Sequence, residues 1–187
     1  YSPKFILMTT PIIVLLGFLL SLIFLHYNRK QWFYYMVVLF TALFPICWIV
    51  FDRSNVYGGW RHLLFTYPSI VVLAALGLNS LLNLIRNRYA RYAVGLAYLL
   101  LCINPISHYI RNHPYEYVYF NQFVGSTKDA YGKYEMDYYY HSLREAADWV
   151  KQNAKKDSLT TGDKIIVACW HIHPANYYFK DDTAKLQ

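Results

Sequence analysis

Long apolar stretches alternate with short polar links over the first 110 residues of the chain. The apolar stretches are residues 5–25, 32–51, 62–85 and 93–110, and none of them contains Lys, Arg, Asp or Glu. Because a helix rises about 1.5 Å per residue, about 20 apolar residues cross the ~30 Å hydrocarbon layer of a membrane. The pattern therefore predicts a transmembrane helical domain over residues 1–110 with four spans.

The end of the chain has a different pattern, typical of a small domain in water. Ser142 and Glu145 have the spacing of a helix capping box, and apolar residues follow them at helical intervals. Residues 165–169 form a short continuous apolar run, which is typical of a buried strand. A further helix is predicted over residues 174–178.

These patterns together predict the fold class. We expect a membrane protein in which four transmembrane α-helices are followed by a small, incomplete extracytoplasmic α/β domain over residues 142–187. Between the two parts, residues 111–141 are rich in Tyr and are predicted to form a membrane-proximal loop.

The charges are divided unevenly between the two parts. Residues 1–110 carry eight Lys or Arg and one acid, whereas residues 111–187 carry ten of each sign, so the net charge of +7 belongs to the first part. Links 26–31 and 86–92 are the most basic, and the positive-inside rule places them in the cytoplasm and residues 111–187 outside. Because the cations flank apolar spans, membrane lipids are the expected partners and nucleic acid is not.

Arg61 is the main candidate for binding chemistry. It stands where the polar link 52–61 meets the third apolar stretch, and a guanidinium presents a planar fork of donors that matches phosphate oxygens. His62 and Arg53 are candidates to assist it. The alternatives are that Arg61 anchors a helix at the membrane surface, that His62 caps the helix, and that Arg53 pairs with Asp52. Gly58 and Gly59 are predicted to let the link turn tightly.

Two passages resemble the C-terminal half of a GT-C membrane glycosyltransferase of the protein O-mannosyltransferase-like kind (family 39, polyprenyl-phosphate-sugar dependent). The first passage is GWRHLLF at residues 59–65, then Tyr67, Pro68 and the apolar run to Gly77. The second is HPYEYVYFN at residues 113–121, with the later residues Gly125, Tyr131, Gly132, Glu135, Asp137, Tyr138 and 142–147. It departs from the family pattern at residues 139–140, where Trp-Gly is expected.

The resemblance implies transfer of a sugar from a polyprenyl-phosphate carrier at the outer face of a bacterial inner membrane. Arg61, His62 and Arg53 would hold the carrier phosphate. The acceptor side is assigned to Tyr119, Asn121, Asp137 and Tyr138, although the Tyr-rich residues also suit an interfacial belt.

The family's catalytic Asp lies in the first external loop of the full protein, and no residue of this chain corresponds to it. We therefore expect no catalytic residue here. Catalysis would need a missing N-terminal half of the same protein, or a membrane complex.

Two further hypotheses remain. The first is a non-catalytic membrane scaffold subunit with a vestigial carrier site. The second is a metal bound by His171 and His173, which would share a face if the segment were extended, but a third ligand is not evident and no cofactor is expected. A transporter is disfavoured because no ionisable residue lies in the middle of a predicted span.

Overall fold

A computed structural model describes residues 1–25, 32–56, 58–157 and 172–180. It divides into two compact units, Tyr1–Tyr138 and Tyr139–Gln187. Both units are helical in their described parts. The helices are α1 (Ser2–Thr9), α2 (Ile12–Ile23), α3 (Trp32–Phe51), α4 (Tyr67–Leu84, after a 3-10 turn at Leu64–Thr66), α5 (Arg88–Arg111), α6 (Thr127–Ala130), α7 (Leu143–Asp157) and α8 (Ile172–Phe179).

Three of the described helical segments are long and apolar enough to cross a membrane: α3, Leu64–Leu84 and α5. Helices α1 and α2 meet the same criterion only as a pair, and they are bent by 113° at the break between them. The predicted class, an integral membrane protein with several apolar helices, is therefore confirmed at this level.

The prediction of one continuous helix over residues 5–25 is wrong. Thr10 has an extended backbone conformation and separates α1 from α2. The cause is Pro11, because proline has no backbone N–H and its ring disfavours a helical conformation of the residue before it. The hydroxyls of Thr9 and Thr10 donate to the Phe5 and Ile6 carbonyls at 2.7 Å, which holds both side chains against the last turn of α1.

Two other predicted boundaries move. The third span was predicted from residue 62, but the α-helix begins at Tyr67, so Arg61 and His62 lie in the turn before it. The fourth span was predicted from residue 93, whereas α5 already begins at Arg88. Asn87 explains this earlier start, because its side chain accepts a hydrogen bond from the backbone N–H of Tyr89 and caps the helix.

Helices α2 and α4 pack closely through small residues. A Cβ atom built on Gly17 would lie 2.6 Å from the carbonyl oxygen of Ala74, and one built on Gly77 would overlap the backbone of Gly17 and Ser21. Small residues allow such close approach between helices in membranes, where van der Waals packing replaces the hydrophobic driving force.

The predicted Tyr-rich loop folds back onto the helices. Residues 113–138 contact α1, the link before α4 and the C-terminal end of α5. We call α1, residues 58–66 and residues 113–138 together the cap.

In the second unit, both predicted helices are confirmed as α7 and α8. Ala147 of α7 packs against Ala175 and Phe179 of α8, with Val150 and Tyr178 at the edge of this small core. The predicted strand at residues 165–169 lies outside the described residues. Because the described part of this unit contains helices only, an α/β domain is not supported.

Candidate functional site

A cavity of about 320 Å³ lies between the cap and the ends of α4 and α5. Four parts of the chain meet there: the α1–α2 break, the turn before α4, the C-terminal end of α5, and residues 113–138. The lining residues are Thr9, Pro11, Trp60, Leu64, Tyr67, Pro105, His108, Tyr109, Glu116, Tyr117, Tyr119 and Tyr138.

Trp60 forms one wall of the cavity. Its indole N–H donates to the Thr9 hydroxyl at 2.7 Å, and its ring meets Tyr67 edge to face at 5.4 Å between centroids. Gly59 precedes it with a φ of +56°, and a Cβ there would lie 2.8 Å from the Phe5 ring. Glycine is therefore required by both conformation and space, which confirms the predicted tight turn.

Asn121 fastens the cap to the α1–α2 break. Its side-chain N–H groups donate to the carbonyls of Leu7 and Thr10 at 2.6 and 2.9 Å, and its backbone N–H donates to Met8. The residue has 0% exposure. Its predicted role on the acceptor side stays a prediction, and the structure adds the role of satisfying the carbonyls that the break exposes.

The other predicted acceptor-side residues lie at the cavity or next to it. Tyr119 and Tyr138 line the cavity, and Asp137 accepts a hydrogen bond from the hydroxyl of the lining residue Tyr117. Tyr119 donates to the Asn104 side chain at 3.0 Å. Burial raises the pKa of the Tyr119 hydroxyl, and the neighbouring Tyr67 adds to the effect, so this group stays protonated.

The predicted phosphate ligands lie outside the cavity lining. Arg61 and His62 are exposed in the turn directly after Trp60. Arg53 is exposed with a φ of +52°, and Asp52 accepts a hydrogen bond from Ser54 rather than pairing with Arg53. Arg61 and His62 thus follow a wall residue in the chain but do not line the cavity themselves.

Sequence reasoning missed His108 as a polar group of the cavity, whereas the second lining residue of this kind, Glu116, belongs to the passage at residues 113–121. The ring of His108 meets Tyr119 edge to face at 5.1 Å, and Glu116 is hydrogen-bonded to His113. A hydrogen bond from its own backbone N–H lowers the pKa of the Glu116 carboxyl most, followed by the bond with His113, so the group is ionised near neutral pH. A signal existed for His108, since an ionisable residue near the end of an apolar span is rare and often functional.

The residues suggested for a metal are not brought together in the described structure. His173 is exposed on α8, and His171 lies outside the described residues. Among the described residues, no group of three or more His, Cys, Asp or Glu side chains is placed to hold a metal ion.

The geometry is that of a small aromatic compartment at one end of a bundle of apolar helices. Comparison of the chain with protein-family models, with curated proteins and with solved structures finds no match.

Proposed function

We propose that this chain is the C-terminal membrane part of a glycosyltransferase that moves a sugar from a polyprenyl-phosphate carrier to an acceptor at the outer face of a bacterial inner membrane. The proposal unites the sequence resemblance at residues 59–77 and 113–147 with the cavity, because seven of its twelve lining residues lie in these two passages.

The cavity is the observation that carries the proposal. Five of its lining residues are aromatic side chains of the cap and of the start of α4: Trp60, Tyr67, Tyr117, Tyr119 and Tyr138. Flat aromatic faces pack against the C–H faces of sugar rings, and phenol and indole groups add hydrogen bonds at their edges. Binding cavities for small molecules have volumes of about 300–1,000 Å³, so this one suits a small group such as a single sugar ring.

The position of the cavity suits a lipid-linked sugar. It lies at the end of helices that are apolar enough to sit in lipid, so a polyprenyl chain beside them would present its head group at this level. Arg61 follows the wall residue Trp60 directly and is exposed. A phosphate joined to a sugar in the cavity would therefore be within reach of a cation that binds phosphate oxygens in a planar fork.

The experiment is a transfer assay on the full-length protein with a polyprenyl-phosphate sugar. We expect Arg61→Ala to lower the transfer rate roughly 10- to 100-fold, because hydrogen bonds to charged groups contribute about 1.5–3 kcal/mol. Arg61→Lys should retain part of the rate. Arg88→Ala is the matched control, since Arg88 stands at the other end of the 24-residue helix α5. An unchanged rate in Arg61→Ala would remove the phosphate role.

The second candidate is a non-catalytic scaffold subunit in a membrane complex. It is favoured by the faces of α5, none of whose residues is buried against the described rest of the chain. In that case Arg61→Ala leaves the activity of the complex unchanged, whereas substitutions of exposed α5 residues such as Leu99 and Ile103 separate the subunits.

A further inference from the structure

His108 holds an unused hydrogen-bond donor at the cavity. The side-chain nitrogen of Asn112 donates to the His108 carbonyl at 3.0 Å, which identifies it as the NH₂ group, and it also lies 3.1 Å from Nδ1 of the His108 ring. Nδ1 must therefore accept, and in the neutral ring the proton is on Nε2. This Nε2 is buried and makes no hydrogen bond of normal geometry to the described residues, and the Glu116 backbone lies beside the ring. A buried N–H without a partner is costly, and a ligand in the cavity would satisfy it.

Glu116 supplies the complementary acceptor. It lines the same cavity as His108, and the two side chains interact electrostatically. The side chain of Glu116 is 23% exposed and is oriented by His113, which lies outside the lining. A donor and an acceptor that line the same cavity match a sugar, whose neighbouring hydroxyls both donate and accept.

The charge of the lining decides which sugars fit. The twelve lining residues include the carboxylate of Glu116 but no Lys or Arg. An anionic group inside the cavity would meet the like charge of Glu116, and the lining offers no Lys or Arg to offset the repulsion.

We propose that His108 and Glu116 are the specificity-determining pair of this cavity, which takes an uncharged, hydroxyl-bearing sugar ring and rejects uronic acids. This inference rests on the proposed function for the identity of the ligand class, and it assigns recognition to two residues outside the candidates Arg61, His62 and Arg53. It also requires the carrier phosphate to stay outside the cavity.

The test measures binding of free methyl glycosides, which is independent of any transfer reaction. The full-length protein in phosphatidylcholine nanodiscs, free of sugar detergents, is titrated with methyl glucoside and with methyl glucuronoside by saturation-transfer NMR. We expect wild type to bind the glucoside with at least roughly tenfold preference. Glu116→Gln keeps an acceptor but removes the charge, so it should bind both glycosides equally. Glu145→Gln on α7 is the matched control and should keep the preference.

His108 is tested with two variants that differ in one property. His108→Gln keeps an N–H near the position of Nε2 and should retain glucoside binding. His108→Leu has no such donor, and its affinity for the glucoside should be roughly tenfold lower. Thermal unfolding of both variants shows whether each is folded. The proposed role of His108 and Glu116 is overturned if the wild-type protein binds neither glycoside or binds both equally. It is also overturned if a folded His108→Leu variant binds the glucoside as the wild type does. Glycoside binding without transfer activity would instead contradict the proposed function, but it would support the specificity role of His108 and Glu116.

Discussion

The α2–α4 crossing and the cap belong to the same unit but are packed in opposite ways. At the crossing, Gly17 and Gly77 let two backbones touch, and no room remains for even a methyl group. In the cap, bulky rings such as Trp60 and Tyr138, which are 7% and 5% exposed, hold the walls of a cavity apart. The crossing is made of apolar and small groups, whereas Trp60, Tyr117, Tyr119 and Asn121 of the cap each make a hydrogen bond through the side chain.

The contrast suggests that the α2–α4 crossing contributes mainly to stability and the cap mainly to ligand recognition. Close contact between small residues fixes the helices with dispersion alone, which needs no polar group in lipid. Space for a ligand requires rigid large side chains whose polar ends are already paired, as with Trp60 and Tyr119. His108 is different. Among the described residues, its buried Nε2 has no hydrogen-bond partner.

The largest effect on stability is expected from adding a side-chain atom at the contact between α2 and α4. Gly77→Ala places a methyl group on the backbone of α2, and we expect it to lower the free energy of unfolding by about 3 kcal/mol or more, because backbone cannot move aside as a flexible side chain does. Thermal unfolding in nanodiscs measures the change. Gly95→Ala on α5 is the control, since a Cβ there meets no atom within 4 Å, and it should be neutral or gain up to about 1 kcal/mol. Equal stability of the two variants would show that the crossing is looser than described.

A smaller but still large effect is expected from the cap. Asn121→Ala removes the donors to Leu7 and Thr10, and leaving these buried carbonyls without partners should cost about 2–4 kcal/mol. Faster amide hydrogen exchange across α1 in the variant is the measurement. Asn83→Ala on the exposed surface of α4 should leave exchange unchanged. Wild-type exchange in Asn121→Ala would mean that Pro11 alone determines the bend.

The smallest effect concerns the charge at the cavity. The pKa of Glu116 is lowered from its ordinary value of 4.5, so its contribution to stability is complete above that pH and is lost as the pH falls through the lowered folded value. His113→Ala removes the second cause of the shift, and the Glu116 pKa should rise part of the way towards 4.5. An NMR titration of the Glu116 side-chain carbon gives the value. No change would assign the whole shift to the backbone hydrogen bond.

Much of the helical fold was predictable, because length and lack of charge are local properties of a membrane span. The α1–α2 break was not predicted, although Pro11 was visible in the sequence. A proline in an apolar stretch is compatible with a kinked span or with a break, and the choice depends on whether another part of the chain satisfies the freed carbonyls. That partner, Asn121, belongs to a segment with no regular pattern.

The candidate site was predictable only in part. Arg61 was chosen as a candidate from its position next to an apolar stretch, and the cap tyrosines from a resemblance, and both assignments remain predictions. The cavity itself combines residues separated by up to 129 positions, from Thr9 to Tyr138, and no periodicity links them. His108 was missed because its meaning depends on Asn112, which determines the tautomer, and on Glu116, which lies beside it.

The bond between Asn121 and Thr10 also has a consequence for how the protein is made. The donor stands 111 residues after its acceptor, so α1 and α2 leave the ribosome and meet the lipid long before their partner is synthesised. The bend is therefore completed only after α3, α4 and α5, which lie between Thr10 and Asn121, have been synthesised. A nascent chain halted just before Asn121 contains α1 to α5 and still lacks the donor that holds the end of α1.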